Sequence, residues 1–160
     1  MLNTPKNGWG KIQIGEWEDR VSYLDDIPFD LLEALTDSCK KHVPVSVKFD
    51  AEGYEYIVVF DWMVTYVIYQ ESAVVNLLCG RNNGEEDSET CVVRISVPRS
   101  EIAKELIHDI RANAPEWAAF YCSVEDEEVG QRQLQLLTMC KQLESLLPAD
   151  DDTPIYRAET

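Results

Sequence analysis

A chain of 160 residues with 45% hydrophobic content can bury one substantial core and is too apolar to stay disordered. Its 30 Asp and Glu outnumber 14 Lys and Arg, a formal charge of -16 that repels phosphate backbones and anionic bilayers at long range, which argues against direct nucleic-acid or membrane binding. No apolar run approaches the roughly 20 residues of a bilayer span, MLNTPKNGWGK lacks the apolar core of a signal peptide, and no linker divides the chain, so the expectation is a cytoplasmic protein.

In chain order, residues 1–8 are polar. Trp9, Ile12 and Ile14 before Gly15, and Trp17, Val21 and Tyr23 after it, predict an N-terminal hairpin or bulged strand. DDIPFDLLEALTDSCKKHV predicts a first helix, with Asp26 as N-cap, Pro28 in the first turn, and Phe29, Leu32, Leu35 and Cys39 along one face. Lys40, Lys41 and His42 fall where positive charge complements the helix dipole, which accounts for His42 without catalysis.

The stretch from Pro44 to Val97 then reads as successive antiparallel strands. PVSVKFD alternates, AEG turns at Gly53, and YEYIVVF is apolar on both faces, as a central strand requires. VTYVIYQ, AVVNLLC and TCVVRISV follow, the last two separated by the polar loop GRNNGEEDSE. A second helix carries Ile102, Leu106, Ile107 and Ile110 as a stripe. Pro115 interrupts the pattern and sets Trp117, Phe120 and Tyr121 in a separate short turn. A third helix through DEEVGQRQLQLLTMCKQLESLL offers Val129, Leu136, Met139, Cys140, Leu143 and Leu147 for packing against the sheet or a second subunit. The expected fold is α+β: residues 1–147 as a single domain, mainly an antiparallel sheet of about five to seven strands covered by an N-terminal helix and two C-terminal helices. Residues 148–160 read as an acidic, mobile tail.

The chain carries little that resembles a catalytic constellation. Five cysteines, Cys39, Cys79, Cys91, Cys122 and Cys140, are irregularly spaced within apolar segments. They read as reduced, mostly buried thiols with no zinc-site spacing. His108 and Asp109 are adjacent on a helix, where side chains diverge, so they are not expected to pair. EEDSE and ADDD lack the ligand order of a calcium loop, and Gly80 and Gly84 bracket no phosphate-loop motif. A protein without cofactor or bound metal is the expectation.

The run IQIGEWEDRVSYLDDIPFDLLEAL, through Ile12, Ile14, Gly15, Glu16, Trp17, Glu18, Ser22 and Tyr23, resembles the openings of small bacterial immunity proteins of contact-dependent or polymorphic toxin systems. The likeness is confined to residues 12–35, and the Trp-rich strand cluster of several such families is absent, with Trp62 alone in the central strands. The resemblance implies a cytoplasmic, non-catalytic inhibitor that occludes a toxin domain. The candidate partner-binding residues, chosen for charge or amphipathic exposure, are Glu16, Trp17, Glu18, Asp19, Tyr23, Glu85, Glu86 and Asp87. Two alternatives stay open. One is a structural adaptor or homodimer using the third helix; the other is a small-molecule-binding or enzymatic domain with a pocket lined by Tyr54, Tyr56, Tyr66 or Tyr69. Neutralising Glu85, Glu86 and Asp87 together is expected to slow association with a basic partner and to flatten its salt dependence. Stopped-flow association rates unchanged across ionic strengths would remove this loop from the mechanism.

Overall fold

The computed structural model describes residues 1–71 and 91–148. The expected strand 73–79, the loop 80–89 and nearly all of the acidic tail lie outside the described residues. The chain is α+β, and its described residues form two antiparallel sheets in place of the one expected. Strands β1 (Trp9–Ile14) and β2 (Trp17–Ser22) form a hairpin, with Ile14 opposite Trp17 and Trp9 opposite Ser22. Gly15 turns it at φ +58, and a Cβ there would lie 2.9 Å from the Ile95 side chain, so the turn needs glycine for conformation and for space. The N-terminal segment runs along the other side of β1: the Asn3 amide donates to Lys11, and the Gln13 amide donates to Met1.

The second sheet has the order β3 (Val45–Asp50), β4 (Tyr54–Phe60), β5 (Thr65–Glu71), β6 (Cys91–Ile95). The two-faced apolar strand β4 is indeed internal. Its alternation puts Tyr56, Val58 and Phe60 in the core beside Val47 and Phe49 of β3 and Val67 of β5. Glu52 and Gly53 both take positive φ, the geometry of a tight hairpin turn whose twist matches its strands. β6 pairs with β5, Val67 opposite Val93.

The described residues form four α-helices, the three expected and the short one at the Pro115 break. Helix α1 (Ile27–Lys41) lies against β3, and α2 (Arg99–Ala112) contacts α1. The short α3 (Ala114–Ala118) starts at the break that Pro115 imposes, and a 3-10 turn at Asp126–Glu128 leads into α4 (Val129–Glu144). The α2 stripe is buried as its spacing predicts. The buried face of α1 is rotated from the expected one. Leu31, Leu32, Leu35, Thr36 and Ser38 are inside, with Phe29 and Cys39 at its margin.

Ser38 is inside because it serves Arg99. That guanidinium is only 4% exposed, donates to Ser38 Oγ and to the Val43 carbonyl (3.3 Å), and lies 4.6 Å over the Trp62 ring. The α4 stripe packs chiefly on α1, α2 and α3 and buries Leu136, Cys140 and Leu143. Asp26 occupies the N-cap position of α1 but its side chain caps nothing. Both carboxylate oxygens accept from Arg132 of α4 at 2.7 Å, while Arg132 Nε donates to the Ala118 carbonyl and its guanidinium lies 4.4 Å from the Phe29 ring centre. His42, in the left-handed conformation at φ +53, ends α1 and tilts against Trp62.

Gly10 backs directly onto the fully buried Trp117, whose ring a Cβ would approach to 2.7 Å. Gly10→Ala is expected to destabilise the protein by about 1–3 kcal/mol, read from its urea midpoint. The cost should shrink in a Trp117→Phe background, which removes the touching ring atom. An equal cost in both backgrounds would place its origin elsewhere.

Candidate protein-binding surface

The hairpin lies beside the β3–β4 end of the second sheet, and the two are joined by polar links. Ser22 Oγ donates to Glu52 Oε1 at 3.1 Å, and the Asp50 amide donates to Asp25 Oδ2. This places Trp17 of β2 edge-on to Tyr56 of β4, with ring centroids 5.5 Å apart. Tyr69 lies 5.1 Å from Tyr56, and Tyr54 stacks on Tyr69 at 4.8 Å. Four aromatic rings thus run from Trp17 through the buried Tyr56 and then Tyr69 to Tyr54, which is 41% exposed.

Asp19 reaches the same spot from β2, and its carboxylate accepts the Tyr56 hydroxyl. Burial, then this hydrogen bond and the Asp19 charge, raise the pKa of Tyr56 well above the usual phenol range. The phenol therefore stays a donor, and Asp19 is an orienting group as well as an exposed charge. Glu16 is exposed at the turn, and Glu18 is exposed but paired with Lys11 across the hairpin.

Trp17 and Asp19 thus share the inner face of the hairpin, opposite Ile14 and Ile12, while Glu18 points to the outer face with Lys11 and Glu16 sits at the turn. Tyr23 lies apart from all four. It follows the far end of β2, roughly 20 Å along the strand from Trp17. There its amide donates to the Gly8 carbonyl and its ring borders a shallow depression with Lys6, Glu116 and Phe120. Glu85, Glu86 and Asp87 lie outside the described residues. Tyr54, Tyr56 and Tyr69, candidates for a pocket lining by sequence, border neither the depression beside Tyr23 nor a groove between α1 and β3. They share one face of the sheet and fill it, whereas Tyr66, opposite the outward-facing Val59, lies on the other face. Residue parity alone separates Tyr66 from the rest.

A second acidic feature went unseen in the sequence. An open groove of about 430 Å³ runs between α1 and β3, bordered by Asp30, Glu33 and Asp37 on the helix and by Val45–Lys48 on the strand. Burial, with the neighbouring Asp26, Asp25 and Glu33 charges adding to it, raises the Asp30 carboxyl from 3.8 to about 6. Asp25 is raised too, first by burial.

Elsewhere the chemistry is muted. Among the described residues no group of three or more His, Cys, Asp or Glu side chains could hold a metal ion, and no helix is long and apolar enough to cross a membrane. Of the described thiols, Cys140 is buried and pushed up to about 11 by that burial, Cys39 is half-buried, and Cys122 is exposed, against the expectation for that residue. His108 Nδ1 lies 3.1 Å from Asp109 Oδ1, so the two side chains do meet, contrary to the helix-position argument. Asp109 is already committed: it accepts from the Met1 amine at 2.6 Å and the Leu2 amide at 2.8 Å. Burial raises its pKa, but these donors more than offset that and hold the carboxyl below its usual value.

No family model, curated protein or solved structure matches the chain.

The Asp30 shift fixes the sign of a pH effect. A carboxyl raised in the folded state loses its proton first in the unfolded chain, so stability falls as pH climbs from about 4 to about 6, and the full cost persists above. Asp30→Asn is therefore expected to stabilise the protein above pH 6 by on the order of 1 kcal/mol after solvent screening, with no gain near pH 4. Urea midpoints across this range check it, and a gain independent of pH would contradict the assignment.

Proposed function

We propose that this chain is a non-catalytic binding module that docks a basic protein on the face formed by the β1–β2 hairpin and the Tyr54 end of the second sheet. The observation that carries the reading is the aromatic series from Trp17 through Tyr56 and Tyr69 to half-exposed Tyr54, bordered by the exposed carboxylates of Asp19 on the same face of β2 and of Glu16 at the turn, with Glu18 on the outer face of the hairpin. Rings already fixed against one another lose little entropy on binding and can supply short-range energy, while surrounding charge steers a cationic partner. The net charge of -16 extends that steering over the whole molecule. The likeness of residues 12–35 to immunity proteins makes a basic toxin domain, occluded by this face, the partner we favour, in a cytoplasmic setting.

The homodimer reading has less support. The α4 stripe is taken up by the chain's own helices, and α4 leaves outside chiefly Leu134, which is 67% exposed.

Affinity capture with the purified protein, from lysates of its own and neighbouring strains at low and moderate salt, tests the proposal. The expected result is a basic toxin domain retained stoichiometrically, lost at higher salt, and bound at least tenfold more weakly by Trp17→Ala. Retention indifferent to both salt and Trp17, or no retention by a protein that sediments as a dimer, would overturn it.

A further inference from the structure

Among the described residues no strand pairs with the outer edge of β3, and its hydrogen-bonding groups can be assigned. The Ala51 amide donates to Tyr54, so the antiparallel alternation directs Phe49, Val47 and Val45 toward β4 and turns the backbone groups of Asp50, Lys48 and Ser46 outward. The Asp50 amide is taken by Asp25. Ser46 and Lys48 are exposed, and their amides make no hydrogen bond to described residues outside the sheet. These groups face the groove whose other wall is α1. Three cations near that wall are already engaged: Lys48 Nζ is 2.7 Å from Glu55, Lys41 Nζ is 2.6 Å from Asp37, and Arg132 holds Asp26; the charge of exposed Lys40 reaches Asp37 at the far end of the groove. Asp30 and Glu33, one helical turn apart, have no cation within ion-pair distance among the described residues.

We propose that the groove between α1 and β3 binds an extended basic peptide segment of a partner protein. The segment adds as a strand to the Ser46–Lys48 edge and lays alternate lysine or arginine side chains over Asp30 and Glu33. Main-chain bonds to Ser46 and Lys48 provide the adhesion, and the acids of α1 select the sign of the side chains. The distance from Pro44 to Asp50 sets the length, roughly 20 Å or about six to seven residues. The site is separate from the hairpin face and shares only the preference for a cationic ligand with the function proposed above. It is tested with synthetic peptides, so failure to capture a protein partner leaves it standing.

The experiment is an NMR titration of the isotope-labelled full chain with a peptide of about seven residues alternating lysine and valine. Two controls accompany it: a glutamate–valine counterpart, and a lysine–valine peptide methylated on alternate backbone nitrogens. The expected result is that the Ser46 and Lys48 amides shift and gain protection from exchange with the first peptide alone. Asp30→Asn with Glu33→Gln should lower affinity about tenfold at low salt. Ser46→Pro should abolish binding without a loss of fold, because the amide it removes points away from the ladder. If that variant does not fold, the methylated peptide carries the same test from the ligand side. Shifts scattered over the acidic surface without protection at Ser46 and Lys48, or equal binding of any control peptide, would overturn the proposal.

Discussion

The rotation of α1 about its own axis is the constraint on which the two acidic surfaces depend. The helix has to bury Leu31, Leu32 and Leu35, contact β3 on one side and α4 on another, and supply Ser38 to a buried arginine. Arg132 fixes that rotation from α4, gripping Asp26 with two hydrogen bonds while its Nε is satisfied by the end of α3. A fork with fixed geometry tolerates little sliding, so three helices share one registration point. Once α1 is set, the residues that begin it have nowhere to go except the strip beside β3, and Asp25, Asp30 and Glu33 accumulate there.

The distribution of charge matters more than its sum. Several carboxylates of this acidic chain are individually answered: Asp26 by Arg132, Glu144 by a two-pronged contact from Arg111, and Asp37 and Glu55 by lysines. The exposed pairs among these contribute little to stability, but each removes a local cation from the field. Two of the places where carboxylates remain without a cation are the strip beside the β3 edge and the hairpin turn. Both places also offer something besides charge, unpaired amides in one and stacked rings in the other. Long-range attraction brings a partner close, and such short-range features decide where it stays.

Much of this was legible in the residues because burial has a period. The period-two pattern of Tyr54–Phe60 identified an internal strand, the stripe from Ile102 to Ile110 identified a packed helix, and Pro115 marked the break before Trp117. Pairing between distant elements leaves no such trace. Nothing in WEDRVS says that Trp17 will meet Tyr56, or that Asp19 will take its hydroxyl, since both depend on how the hairpin packs beside β3. Asp26 carried a correct positional signal with the wrong chemistry, because a carboxylate at an N-cap is equally available to an arginine arriving from Arg132's helix. The rotated face of α1 follows the same logic: Ser38 reads as a solvent residue until Arg99 is placed against it. The division into two sheets was hidden too, since two short strands joined by Gly15 pair with each other whether or not a larger sheet lies nearby.

The bounds of the β3 edge have a consequence for how the protein keeps to itself. Pro44 has no amide to give, and Asp25 occupies the amide of Asp50, so only the stretch between them can accept another chain. A second copy presenting its own edge would bring Asp30 and Glu33 against Asp30 and Glu33, an arrangement that repels, and neither copy could lengthen the shared ladder past its two stops. The edge is thereby protected against open-ended stacking of identical chains, which is the ordinary hazard of an unpaired strand, without being covered. At this edge the geometry turns away a second copy and still leaves a strand available to a chain of opposite charge.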